Sequence, residues 1–192
     1  MARVRRVAAP RVDRLHRTLD VPQADRLGNV RQLVAAVRDG IDHPGTLLEL
    51  LDVDRRHFLY YRQAALLLGV VEFDARGALQ VTSLGQRLLA TGDGSREERQ
   101  VFAEAIGIAR ALRPFASFFA GEPLDLATLT RRLEVLTGLS HTTAERRAHT
   151  LLKWRRYVQG PEGAEPGGLD LGDPAPQIEA LVARHNALVK QQ

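Results

Sequence analysis

Residues 70–82, VVEFDARGALQVT, break an otherwise helical pattern with two short strand-like runs around a glycine-containing turn. Such a pair reads as a β-hairpin. What precedes it narrows the choice of fold. In NVRQLVAAVRDG, residues 29–40, Val30, Leu33, Val34 and Val37 fall on one helical face; Asn29 can cap the start and Gly40 stops the end. HPGTLLELLDV reads as a turn and a short second helix, and DVDRRHFLYYRQAALLLG as a longer third helix ending at Gly69. After the hairpin, SLGQRLLA closes the unit as a short helix capped by Thr82 or Ser83.

The order helix, helix, helix, hairpin is that of a winged helix, with Gly69 and Gly85 expected at element ends. Such units often bind DNA but also mediate protein contacts, so fold alone does not assign function. Downstream, Ser95 and Glu98 form a capping box opening a helix with Val101, Phe102, Ala105, Ile106 and Ile108 as apolar positions. Pro114 interrupts it, and FASFFAG follows as a short apolar helix. DLATLTRRLEVLTG predicts an amphipathic helix capped by Asp125, with Leu126, Leu129, Leu133 and Leu136 inward. In SHTTAERRAHTLLKWRRYVQG, residues 140–160, Thr142 and Glu145 form a second capping box. That long helix runs into YVQ, a Gly/Pro loop and LDL, which reads as a second winged helix with a longer or vestigial wing.

The predicted fold is therefore mainly α with small β-hairpin wings, as two tandem winged helix-turn-helix units. The expected divisions are a basic arm at 1–27, a first winged helix at 28–93, a connector with a second winged-helix-like unit at 94–172, and a C-terminal helix at 173–192. That last helix either packs on its own chain or docks on a partner or a second copy.

Charge location matters more than its sum, because 27 Lys and Arg against 23 Asp and Glu leave only +4. Residues 1–20 hold six arginines against Asp13 and Asp20, either a loosely attached segment or an arm contacting DNA or RNA. At about 100° per residue, Ala144, Ala148, Leu151, Leu152 and Val158 share one side of the long helix and Arg155 snorkels at its edge. Arg146, His149, Thr150, Lys153 and Tyr157 lie opposite, with Arg147 beside them and Glu145 as the single acid of the segment. Arginine forks and lysine point charges suit phosphate, as do hydroxyls. The alternative is a solvated or protein-binding face. In the third helix, Phe58, Tyr61, Ala65 and Leu68 face the core. Arg55, Arg56, Leu59, Gln63 and Leu66 face away, with Arg55 and Arg56 near a phosphate. Leu59 and Leu66, in register, are expected to be buried against residues 101–119 or a second subunit.

Enzyme signals are poor. Cysteine is absent, which excludes disulfides, thiolate sites and a cysteine nucleophile and fits a reducing cytoplasm. The six histidines lack metal-ligand spacing, no phosphate loop ends in Gly-Lys-Ser/Thr, and GDG at 92–94 reads as a turn. No cofactor is expected. The basic N-terminus has no apolar core segment of a secretory signal, and no apolar run nears the roughly 18 residues that span a bilayer, so no membrane partner is expected.

FLYYRQAALLLGVVE…GALQVTSLGQRLLA resembles the winged-helix modules of bacterial restriction-modification and antiphage defence proteins, through Tyr60, Tyr61, Ala64, Ala65, Leu68, Gly69, Thr82 and Gly85. TGLSHTTAERRAHTLLKWRRYV is similar to their second module, through Thr143, Arg146, Arg147, Thr150 and Trp154. The resemblance covers roughly residues 29–158. It implies a DNA-sensing or regulatory component without catalysis, working beside a separate nuclease or ATPase. Double-stranded DNA is the expected partner. An adaptor docking a larger effector is the alternative, and a dimeric regulator reading a palindrome a third reading.

Overall fold

The computed structural model describes residues 21–41 and 44–160. Of the arm expected at 1–27, residues 1–20 lie outside the described residues, as do the LDL strand of the second wing and the C-terminal helix; residues 21–27 are not an arm, because Val21, Ala24 and Leu27 are buried in the core and Leu27 opens the first helix.

Helix α1, Leu27–Arg38, buries Val30, Leu33, Val34 and Val37 as the periodicity predicts. It starts two residues before Asn29, because Leu27 is itself buried and draws the first turn into the core. Arg26 is the N-cap and makes no side-chain capping bond, so Asn29 is not the cap. Helix α2 spans Pro44–Leu50 and α3 spans Arg55–Leu67. Asp54 caps α3, accepting a 2.8 Å bond from the His57 amide. Gly69 ends it at φ +67°, a left-handed conformation that suits glycine.

Strands β1, Val71–Phe73, and β2, Leu79–Val81, pair antiparallel with Val71 opposite Val81 and Phe73 opposite Leu79. Asp74 builds the turn: its Oδ1 accepts from the Arg76 and Ala78 amides, each at 2.8 Å. Val71 is buried while Phe73 is exposed, so the hairpin is anchored at its base and free at its tip. Helix α4, Ser83–Leu89, is capped by Thr82, whose Oγ1 accepts from the Gly85 amide at 3.1 Å and donates to the Gly69 carbonyl at 2.7 Å. Leu68, Leu84 and Leu88 join Leu33 and Val37 in the core. Gly85 lies within the first turn of α4 rather than at an element end, and its place there is set by close approach. A Cβ at this position would stand 2.1 Å from the Val70 carbonyl oxygen.

Helix α5, Arg96–Ile108, has Ser95 as its cap and buries Val101, Phe102, Ala105 and Ile106. Ile108 is exposed instead, because the helix ends there and Ala109 turns extended. A 3-10 helix at Arg110–Phe115 contains Pro114, and α6 follows at Ala116–Phe119. Helix α7, Leu126–Thr137, is capped by Asp125 at 2.7 Å from the Thr128 amide; Leu129 and Leu133 are buried, Leu126 and Leu136 half-buried. Helix α8, His141–Gln159, packs along α7 and against α5. Its N-cap is Ser140, not Thr142, and the Ser140 hydroxyl bonds Thr143 Oγ1 rather than a backbone amide. Tyr157, Val158 and Gln159 form its last turn, so the YVQ run expected to open a second wing is helical. The result is a mainly helical fold with one small hairpin among the described residues, and its apolar core runs unbroken from Val21 to Trp154.

Candidate functional site

The residues just before α1 determine what α8 presents. Trp154, fully buried, donates its Nε1–H to the Ala24 carbonyl at 2.7 Å. Arg147, 3% exposed, donates to the Val21 carbonyl. With its amide oxygen turned inward, Gln23 accepts from both Arg147 terminal nitrogens at 3.2 and 3.1 Å. Lys153 donates to Asp25 Oδ2 at 3.0 Å, and the Tyr61 hydroxyl of α3 donates to Asp25 Oδ1 at 3.3 Å. Residues 21–25 thus form a strap that joins α8 to α3.

Several sequence expectations change on this account. The side opposite Ala144, Ala148 and Leu151 is not acid-free, because Asp25 meets Lys153 there. Thr150 is buried and its hydroxyl bonds the Arg146 carbonyl at 3.3 Å. Tyr157 turns toward α5: its hydroxyl donates to the buried Glu98 at 2.8 Å and its ring meets Phe102 edge-on. Burial pushes the Glu98 carboxyl and the Tyr157 phenol above their ordinary pKa values. Arg146 and His149 do face solvent. Arg155 snorkels as expected, placing its guanidinium 4.7 Å over the Phe118 ring and donating to the Glu122 carbonyl. On α3, Leu59 is 42% exposed rather than covered, and Leu66 is half-buried on the chain's own core; the main packing of α3 is on α1, α2 and β1. The outer face of α3 is open.

A cleft of about 420 Å³ lies between α3 and α8. Arg56, His57 and Tyr60 form the α3 wall, with Asp54 at its start. Arg146, Arg147, His149, Thr150 and Lys153 line the α8 side, and Gln23 and Asp25 supply the strap. The structure therefore brings six of the eight predicted site residues together. Arg55 is exposed on α3 beside the cleft, and Tyr157 is absent from its lining. Arg56 is held by the Tyr60 hydroxyl at 2.5 Å, and His57 pairs with Asp54 at 2.9 Å. Burial, then the charge of neighbouring Arg146, draws the Arg147 pKa down to about 10, which still leaves it cationic at neutral pH. Such a cleft can hold an anion through charge-assisted hydrogen bonds. Among the described residues no three His, Asp or Glu side chains group as a metal would need, and no helix is long and apolar enough to cross a membrane.

Burial raises the Asp25 pKa, but the hydrogen bond and charge of Lys153, helped by Tyr61, outweigh it, so the carboxyl sits below its ordinary value. The contribution is complete above the unfolded pKa of about 3.9 and is lost as pH falls through the folded value. Asp25→Asn is expected to cost about 0.5–1 kcal/mol at pH 7, the pair being solvent-screened. The gap to the parent should close below about pH 4, read as the urea midpoint at pH 7 and pH 3. A gap unchanged at pH 3 contradicts the strap's charge pairing.

No family model matches the chain, and no curated protein or solved structure matches it either.

Proposed function

We propose that the protein is a non-catalytic double-stranded DNA-binding protein whose first unit is a winged helix and whose α3 and α8 grip phosphate through the cleft they share. The observation that carries this reading is the convergence of Arg56 from α3 with Arg146 and Arg147 from α8 at one concave surface. Arg55, on the same open face of α3, extends the cationic surface beyond it. Guanidinium groups suit phosphate because their fork matches its oxygens. The hairpin tip, with Phe73 and Arg76 exposed, supports the reading of the hairpin as a wing. A place as the DNA-sensing or regulatory component of a bacterial defence system, in the cytoplasm, rests on the family resemblance alone.

The test is anisotropy of a labelled random-sequence duplex with the whole chain and with a chain lacking residues 1–20. Binding at low salt that varies little with sequence supports backbone contact. A weaker shift after truncation assigns the basic arm to the interface. No binding at low salt, together with recovery of a partner protein, favours the adaptor.

A further inference from the structure

We propose that the α3–α8 cleft is a binding site for the phosphate monoester of a nucleotide, carried either by the 5′ end of a strand or by a free nucleoside monophosphate. For the strand end, the proposal rests on the nucleic-acid reading above; for the free nucleotide it stands without it.

Charge is the first argument. Arg56, Arg146, Arg147 and Lys153 face Asp25 and Asp54, a surplus of two positive charges with the histidines neutral. A backbone phosphodiester carries one negative charge, whereas a phosphate monoester carries about 1.5–2 at pH 7. The terminal group therefore matches the surplus better than the backbone does.

Arg147 is the second. It lines the cleft yet is nine-tenths buried. Its terminal nitrogens are held by a carbonyl and an amide, not by a carboxylate. Its Nε–H has no hydrogen-bond partner among the described residues. A buried cation with no acid beside it among the described residues, keeping an unused donor, is costly to the fold unless something occupies the site. Arg147 thus gives the α8 side of the cleft a fixed positive charge.

Shape and lining are the third. About 420 Å³ falls within the range of roughly 300–1,000 Å³ typical of small-ligand sites. The α3 wall also carries the His57 and Tyr60 rings, edge-to-face at 5.9 Å, an aromatic surface beside which a base can stack.

The experiment uses the whole chain with 3′-labelled single strands that differ only in a 5′-phosphate or 5′-hydroxyl and with a labelled duplex, competes them with adenosine 5′-monophosphate or adenosine, and measures binding of the two small molecules directly by calorimetry. The phosphorylated strand is expected to bind about tenfold tighter, or ~1.4 kcal/mol. Adenosine monophosphate should displace it and adenosine should not. Arg147→Met should abolish the preference; Arg146→Ala, at an exposed position safe for folding, should weaken it. Binding of adenosine monophosphate without discrimination between strand ends makes the free nucleotide the ligand and supports the cleft. Binding of adenosine monophosphate with no strand or duplex binding supports the cleft and removes the nucleic-acid reading. Equal binding of both strands, with no competition by adenosine monophosphate, overturns the cleft proposal and leaves that reading standing. No binding of any of these overturns both.

Discussion

Trp154→Ala is expected to cost about 3–5 kcal/mol, the range for deleting a large buried aromatic. The side chain is fully buried in α8, and its indole N–H is the donor for the Ala24 carbonyl. Truncation opens a cavity and removes a hydrogen bond that holds the strap. Trp154→Phe narrows these effects: it keeps most of the volume and loses the donor, at about 1–2 kcal/mol. Urea unfolding followed by far-UV circular dichroism measures both variants. Trp154 is the single tryptophan of the chain, so its fluorescence reports the strap contact in the parent. An alanine variant within about 1 kcal/mol of the parent means that α8 does not pack on residues 21–25.

Gly85→Ala should destabilise by about 2 kcal/mol or more, against the usual sign for glycine in a helix. Alanine normally gains about 0.5–1 kcal/mol there. At Gly85 a Cβ would meet the Val70 carbonyl oxygen at 2.1 Å and Val81 Cγ1 at 2.7 Å. The first obstacle is backbone, so α4 must shift off the base of the hairpin, and overpacking of this kind costs about 1–3 kcal/mol. Gly107 in α5 is the control, because nothing lies within 4 Å of its added Cβ. Gly107→Ala should be neutral or stabilising by up to about 1 kcal/mol. If both variants move the melting temperature the same way, the close approach of α4 to the hairpin is wrong.

The first four helices and the hairpin were legible because their signals are local. Val30, Leu33, Val34 and Val37 repeat at helical spacing, and Thr82, Ser95 and Asp125 cap the amides that follow them by three residues. The face of α8 was not legible in the same way. A helical wheel with one buried side places Thr150, Lys153 and Tyr157 outward, but α8 is covered on more than one side. Its partners Val21, Ala24 and Asp25 lie 126 to 130 residues away in sequence. Nothing in the local pattern marks Asp25 as the acid opposite Lys153. Glu98 carries a readable capping signal, yet its burial beneath Tyr157 depends on α5 and α8 meeting. Leu59 differs: it is 42% exposed within its own chain, which leaves a second subunit as the remaining expectation for its cover. An exposed leucine implies a cover only when a neighbour reaches it, and α3 leaves that face open. The cleft joins Arg56 with Arg146 and Arg147, residues that the sequence offers on two separate helices with no local sign that they meet.

The central claim is that α3 and α8 share one phosphate-binding surface, and the salt dependence of duplex affinity tests it most directly. Affinity for a random duplex is measured from about 50 to 200 mM salt for the parent and for Arg56→Ala/Arg146→Ala. Arg146 and Arg56 are exposed and Arg56 makes no ion pair among the described residues, so stability should stay within about 0.5 kcal/mol. The account predicts that the parent binds with a log–log slope that falls by about 1.8 in the double variant, two phosphate contacts at about 0.9 each. A double variant that keeps the parent's affinity and slope, or a parent that does not bind at 50 mM salt, contradicts it.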